Sequence, residues 1–152
     1  MMIRFQRNRK IEATPDEIWN VLGRFMNVDD FSPAIVSVDA LTTGDIGVGS
    51  RRRNNFENGT SVVEEVIEWK PGEGFTVQLS QMAAMPLREA RAHVNIAPDG
   101  EHSSVTWTFD YRVKYGLLGW LMGQTMFKLM MGKVLDKDLK ALEDKVLSVR
   151  TA

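Results

Sequence analysis

The chain has 152 residues, 43% of them apolar and 26% charged, and its 19 basic and 20 acidic side chains nearly cancel. That length fits one folded unit with one core, and the composition is too apolar and too evenly charged for disorder. The charge balance argues against a nucleic-acid partner, and the absence of cysteine excludes disulfides, thiolate metal sites and cysteine nucleophiles.

The basic opening MMIRFQRNRK is followed by no apolar stretch, so no secretion signal is expected. No apolar run is long enough to span a membrane, and a cytoplasmic location is the expectation. Apolar Ile3, Phe5 and Ile11 predict a first strand over 3–12. Thr14-Pro15-Asp16-Glu17 is a helix start: a capping threonine, a proline suited to the first turn and a glutamate three on from the cap. This helix carries Ile18, Trp19, Val21 and Leu22 and should end near Gly23. A second short helix is expected over 27–31, stopped by Pro33.

Strand spacing begins at Ile35. Strands are expected over 35–41, 50–56, 60–69, 75–81, 87–97 and 104–113, the first two joined by a glycine-rich loop. Asn58-Gly59 marks a hairpin, Pro71-Gly72 and Pro98-Asp99-Gly100 mark turns, and 82–86 is a looser connection. In the last strand Val105, Trp107, Phe109, Tyr111 and Val113 alternate with polar residues, as a strand buried on one face requires. The remainder, 117–149, reads as one long helix or two joined, with Leu135, Leu139, Leu142, Val146 and Val149 on one stripe. Strands joined by tight turns form an antiparallel meander whose apolar face must be covered, and only this terminal helix is long enough to cover it.

The residues 11–19 (IEATPDEIW), Phe31-Ser32-Pro33, the Gly44–Gly49 loop, the strand end 66–71 (VIEWKP) and the strand 106–111 (TWTFDY) together resemble the START-like (SRPBCC) superfamily, in its polyketide cyclase/dehydratase-like branch. The likeness spans essentially the whole chain. It implies an α+β helix-grip fold: a seven-stranded curved antiparallel sheet around a long C-terminal helix, with two short helices after the first strand. It also implies a cavity for a hydrophobic ligand between sheet and helix. Only some members are enzymes, and no shared catalytic set carries over to positions here.

Several candidate sites compete. The loop Gly44-Asp45-Ile46-Gly47-Val48-Gly49 joins two strands and lacks a following Gly-Lys-Ser/Thr, so a phosphate cradle is not expected. His93 and His102 have no partner at metal-ligand spacing, and no serine sits in a nucleophile elbow, so neither a metal nor a cofactor is expected. If Asn58-Gly59 is a two-residue turn, Arg52 lies opposite Glu65 and Arg53 opposite Glu64. Glu65 would then share the pocket face with Val63, Ile67 and Trp69. Two readings stay open: a surface ladder of ion pairs, or a paired polar patch that orients a ligand or serves as acid and base.

Residues 117–131 are nearly free of strong polarity and hold Met122, Met126, Met130 and Met131. A straight helix would point Gln124 and Lys128 into the cavity; a bend at Gly132 or Gly123 would turn the apolar side inward, and the bend is preferred because it hides more apolar area. Outward-facing residues would be covered by a membrane surface or by a partner chain, a second copy included.

The functional expectation is binding or transport of a hydrophobic small molecule: a lipid, isoprenoid or polyketide-like ring system. Arg52, Glu65, Ile67, Trp69, Val77 and Leu79 are expected around it, with Ala92, Trp107, Phe109 and Tyr111 from the later strands. Phe75, Ala90 and Val94 extend that strand lining, and Met122, Met126 and Met130 would come from the helix. The alternatives are a cyclase or dehydratase using Glu65, Arg52, Tyr111 or Lys128, and a module docking through the Met-rich helix.

Overall fold

A computed structural model describes residues 2–82, 85–114 and 116–151, with the backbone alone at 123, 150 and 151. Strand β1 (Ile3–Ile11) is followed by helix α1 (Pro15–Leu22) and a 3₁₀ helix (Phe25–Asp30). Six strands come next: β2 (Ile35–Ala40), β3 (Arg51–Phe56), β4 (Ser61–Lys70), β5 (Gly74–Ser80), β6 (Leu87–Asp99) and β7 (His102–Val113). The chain ends in α2 (Gly116–Met122), a π-helical turn (Gly123–Phe127) and α3 (Lys128–Thr151). Of the connection expected over 82–86, residues 83 and 84 lie outside those described.

Helix α1 begins as its sequence dictates. Thr14 Oγ1 accepts from the Glu17 N–H at 3.2 Å, and Glu17 Oε1 accepts from the Thr14 N–H at 3.2 Å. This reciprocal pair satisfies two donors that a helix start leaves open. Replacing Thr14 with alanine is expected to lower stability by about 1 kcal/mol, read as a shifted urea midpoint at unchanged slope.

The seven strands form one antiparallel sheet in the order β1-β7-β6-β5-β4-β3-β2. Hairpins explain every neighbour but one: β1 pairs with β7 across most of the chain, Phe5 opposite Phe109 and Ile3 opposite Tyr111. Irregular pairing near Ile35, Val66 and Leu87 breaks the register and curves the sheet. At Gly74 (φ +150°) the β5 backbone approaches β6 so closely that a Cβ would collide with the Val94 carbonyl.

The helix closes over the sheet through Phe127, Leu135, Leu139, Leu142 and Val146, all buried in one core with Phe5, Ile11 and Phe109. Met131 packs half-buried in the same row, so the inward stripe runs in steps of four and three from Phe127 to Val146. Val149, expected to continue it, is exposed. Among the described residues no helix is long and apolar enough to cross a membrane.

Candidate functional site

The hairpin between β3 and β4 positions the polar part of the site. Phe56 N–H donates to the Thr60 carbonyl, so the loop holds three residues, 57–59, with Gly59 left-handed at φ +84°. The expected two-residue turn is thereby corrected, and with it the register. Arg52 stands opposite Glu64 and Arg51 opposite Glu65. Because strand side chains alternate, this one-residue shift exchanges the faces: Glu64 turns inward and Glu65 lies exposed. Ile67 is the extra residue where β4 slips between Val66 and Glu68, and it too is exposed rather than pocket-facing.

The inward pair is a buried network. Arg52 Nε and Nη2 donate to Glu64 Oε1 at 2.9 and 2.7 Å, and Asn54 Nδ2 donates to the same oxygen at 2.5 Å. Arg52 Nη1 donates to the Phe25 carbonyl, and the guanidinium carbon lies 3.9 Å from the centre of the Phe25 ring. The charge is therefore compensated on every side, the condition under which a buried ion pair persists. Asn54 Oδ1 is also buried and has no hydrogen-bond partner among the described residues.

Across from this network stands a carboxyl that sequence reasoning missed. Asp138 of α3 accepts from the Ser32 hydroxyl at 2.8 Å. Burial raises its pKa from 3.8 to about 6; the Ser32 hydrogen bond works against that rise, and the charge of Glu64 adds to it. In a list of helix residues Asp138 looks like one more polar position beside Lys137 and Lys140. Its one signal lay in spacing, one residue before inward-facing Leu139 and three after Leu135.

Arg52, Asn54, Glu64 and Asp138 edge a cavity of about 100 Å³ between β3–β7 and α3. The rest of its wall is mainly apolar: Val62, Leu79, Ala92, Trp107 and Phe109 from the sheet, Met131, Val134 and Leu135 from the helix. Val28, Ile35, Phe56 and Met85 complete it. Thus Arg52, Leu79, Ala92, Trp107 and Phe109 converge on one space, joined by Glu64 in place of Glu65. The hollow is small: about three waters by liquid volume, below the usual range for ligand pockets.

Other expected lining residues lie elsewhere. Trp69 and Phe75 stack at 5.4 Å within an aromatic cluster that includes Trp19 and Phe25. Val77, Ala90 and Val94 are plain core. Tyr111 is buried against Phe5, Phe109 and Phe127, and burial raises its pKa, which keeps the phenol protonated. Met122, Met126 and Met130 are 51%, 69% and 54% exposed, which overturns the preferred inward bend. The helix is instead interrupted over Gly123–Phe127 by a π turn, and Phe127 at its end lies inward against Tyr111 at 4.9 Å. One buried aromatic on that turn leaves the methionines outside. Lys128 is half-exposed rather than buried in the hollow.

The family model described as polyketide cyclase/dehydrase and lipid transport matches residues 2–147. Among solved structures, the ZhuI aromatase/cyclase of Streptomyces sp. R1128 superposes with a TM-score of 0.79 at 16% identity, over 96% of this chain and 94% of that one. Norcoclaurine synthase of Thalictrum flavum, as a point mutant with a transition-state analogue, gives 0.76 at 19% identity, over 99% and 97% of the two chains. Ara h 8.0201 gives 0.76 at 15% identity, over 97% and 99%. Identities this low establish the shared fold alone. No curated protein matches the sequence.

Proposed function

Since the chain belongs to the polyketide cyclase/dehydrase and lipid transport family, we propose that it binds a hydrophobic, ring-bearing small molecule with one hydroxyl or enol group in the cavity between sheet and α3. The observation that carries this reading is the pairing of an apolar wall with unspent acceptors at one end. Asn54 Oδ1 has no donor among the described residues, and Asp138 presents a carboxyl with only Ser32 recorded against it. A ligand hydroxyl donating to either would occupy a group whose desolvation the fold already bears. The resting hollow is too small for such a molecule, so binding requires movement at Met131 and Met85, flexible side chains suited to re-packing.

The test is titration with 1-naphthol and with naphthalene, followed by native mass spectrometry and calorimetry. Saturable one-to-one binding is expected, tighter for 1-naphthol by about fivefold to tenfold, the worth of one hydrogen bond. Ala92→Leu, which takes up much of the hollow from β6, should weaken binding about tenfold or more while circular dichroism stays native. Failure of the wild type to bind either compound, or binding indifferent to Ala92→Leu, would sink the proposal.

A second reading, an acid–base enzyme of cyclase or dehydratase type, is favoured by Asp138. A carboxyl poised near pH 6 inside an apolar cavity both accepts and returns a proton near neutrality. On this reading Asp138→Asn keeps 1-naphthol binding and removes turnover of a poly-β-ketone probe; turnover that survives the substitution excludes Asp138 as the base.

A further inference from the structure

The face that the methionines occupy has a composition of its own. Leu117, Leu118, Leu121, Met122, Met126, Leu129 and Met130 are all between 49% and 75% exposed along α2, the π turn and the start of α3. Beside them Met122, Met126 and Met130 border an apolar groove of about 360 Å³ floored by Pro86, Val113, Gly119 and Phe127. A soluble surface seldom leaves so many large apolar side chains contiguous. Of the polar residues in their midst, Gln124, Thr125 and Lys128, Thr125 turns its hydroxyl onto the Leu121 carbonyl at 3.0 Å, so it spends its donor within the helix.

Charge decides what covers this face. Between Asp110 and Asp136 the sequence holds Arg112, Lys114, Lys128 and Lys133 and no acidic residue, in a chain whose overall charge is −1. Lys114 lines the groove itself, and Arg88 and Arg112 line an adjoining depression with Leu117 and Trp120. Of these cations only Arg112 has an ion pair recorded among the described residues, with Glu89 at 3.4 Å. A second copy docked face to face would set the same cations against each other, with Glu89, already paired to Arg112, the one acid recorded beside them among the described residues. An apolar helical face rimmed by lysine and arginine instead matches an anionic bilayer, with leucine and methionine at the acyl boundary and cations among the headgroups.

We propose that the 117–130 helical face docks on anionic membrane surfaces, lying in the interface rather than crossing it. This reading is independent of what the cavity binds. The test is flotation with vesicles of phosphatidylcholine alone and of phosphatidylcholine mixed with phosphatidylserine, at physiological salt. The wild type is expected to float with the anionic vesicles and not with the neutral ones. Met126→Glu and Leu118→Glu should each weaken that partition about tenfold or more, and Lys128→Gln with Lys133→Gln several-fold. These side chains are exposed or half-exposed, so folding is unaffected, as circular dichroism would verify. Val48→Glu, an equally exposed apolar site in the β2–β3 loop at the far edge of the sheet, should change nothing. No flotation with either vesicle, equal flotation with both, or flotation undiminished by Met126→Glu would overturn the proposal. So would a wild-type dimer in analytical ultracentrifugation that Met126→Glu converts to monomer, since a second copy would then own the face.

Discussion

Replacing Arg52 with methionine is expected to destabilise the protein by about 3–5 kcal/mol, among the largest losses a single side chain here can cause. The reason is what remains behind. Glu64 would keep its place under β3 with only Asn54 donating to it, a buried carboxylate without a counter-charge. The Phe25 carbonyl would lose its donor as well. Adding Glu64→Leu should recover part of the loss, because an apolar pair removes the uncompensated charge, while the Phe25 carbonyl and the Asn54 amide stay without their partners. Urea denaturation of the wild type, the single variant and the double variant measures this directly. A single variant within about 1 kcal/mol of the wild type would mean the pair is solvated and that the site lacks the buried network described.

The second large effect is a pH dependence centred on Asp138. Its folded pKa of about 6 lies some two units above the ordinary 3.8, so the folded state holds this proton more tightly than the unfolded chain does. The linked stability is full below about pH 4 and is lost as pH rises through about 6, amounting to about 3 kcal/mol. Asp138→Asn cannot ionise and can still accept from Ser32 through its amide oxygen. The variant should therefore match the wild type near pH 4 and exceed it at pH 7 by up to that amount. Subtracting one stability profile from the other cancels the remaining acids. A difference that stays flat from pH 4 to pH 7 would refute a buried, raised Asp138.

If both outcomes hold, the cavity carries a cost in stability at neutral pH that the helix alone would not incur. Leucine at 138 would pack the same space with no ionisation to oppose. Keeping a carboxyl there, in the same cavity as an amide oxygen without a donor among the described residues, is a local conflict of the kind found where a protein binds or reacts.

Much of the architecture was legible in the residues. Thr14 and Glu17 announce α1, alternation from Val105 to Val113 announces β7, and the leucines from 135 to 142 announce the covering helix. Each is a local pattern whose period states which face is buried. The site was less legible, because its polar half depends on one residue of loop length. Asn58-Gly59 fits a two-residue or a three-residue turn equally well on paper, and the choice between them moves the β4 side chains ahead of the Ile67 slip to the other face. The exposure of the methionines is illegible in the sequence for a related reason. Periodicity assumes a straight or kinked α-helix, whereas a π turn adds a residue and redirects the stripe through Phe127.

Sequence alone thus determined the strand and helix order and the apolar face of β7 and of the helix from Leu135 to Val146, since these follow from periodicity and from capping and turn chemistry within a few residues; the family likeness rested on the resembling motifs. Tertiary structure decided the closure of β1 on β7, the pairing of Arg52 with Glu64, and the placing of Asp138 from α3 opposite both. Those contacts join residues from twelve to more than a hundred positions apart, and no local preference encodes them. They form because the curved sheet and its covering helix leave a small hollow, and side chains that edge it must find partners there or remain without one.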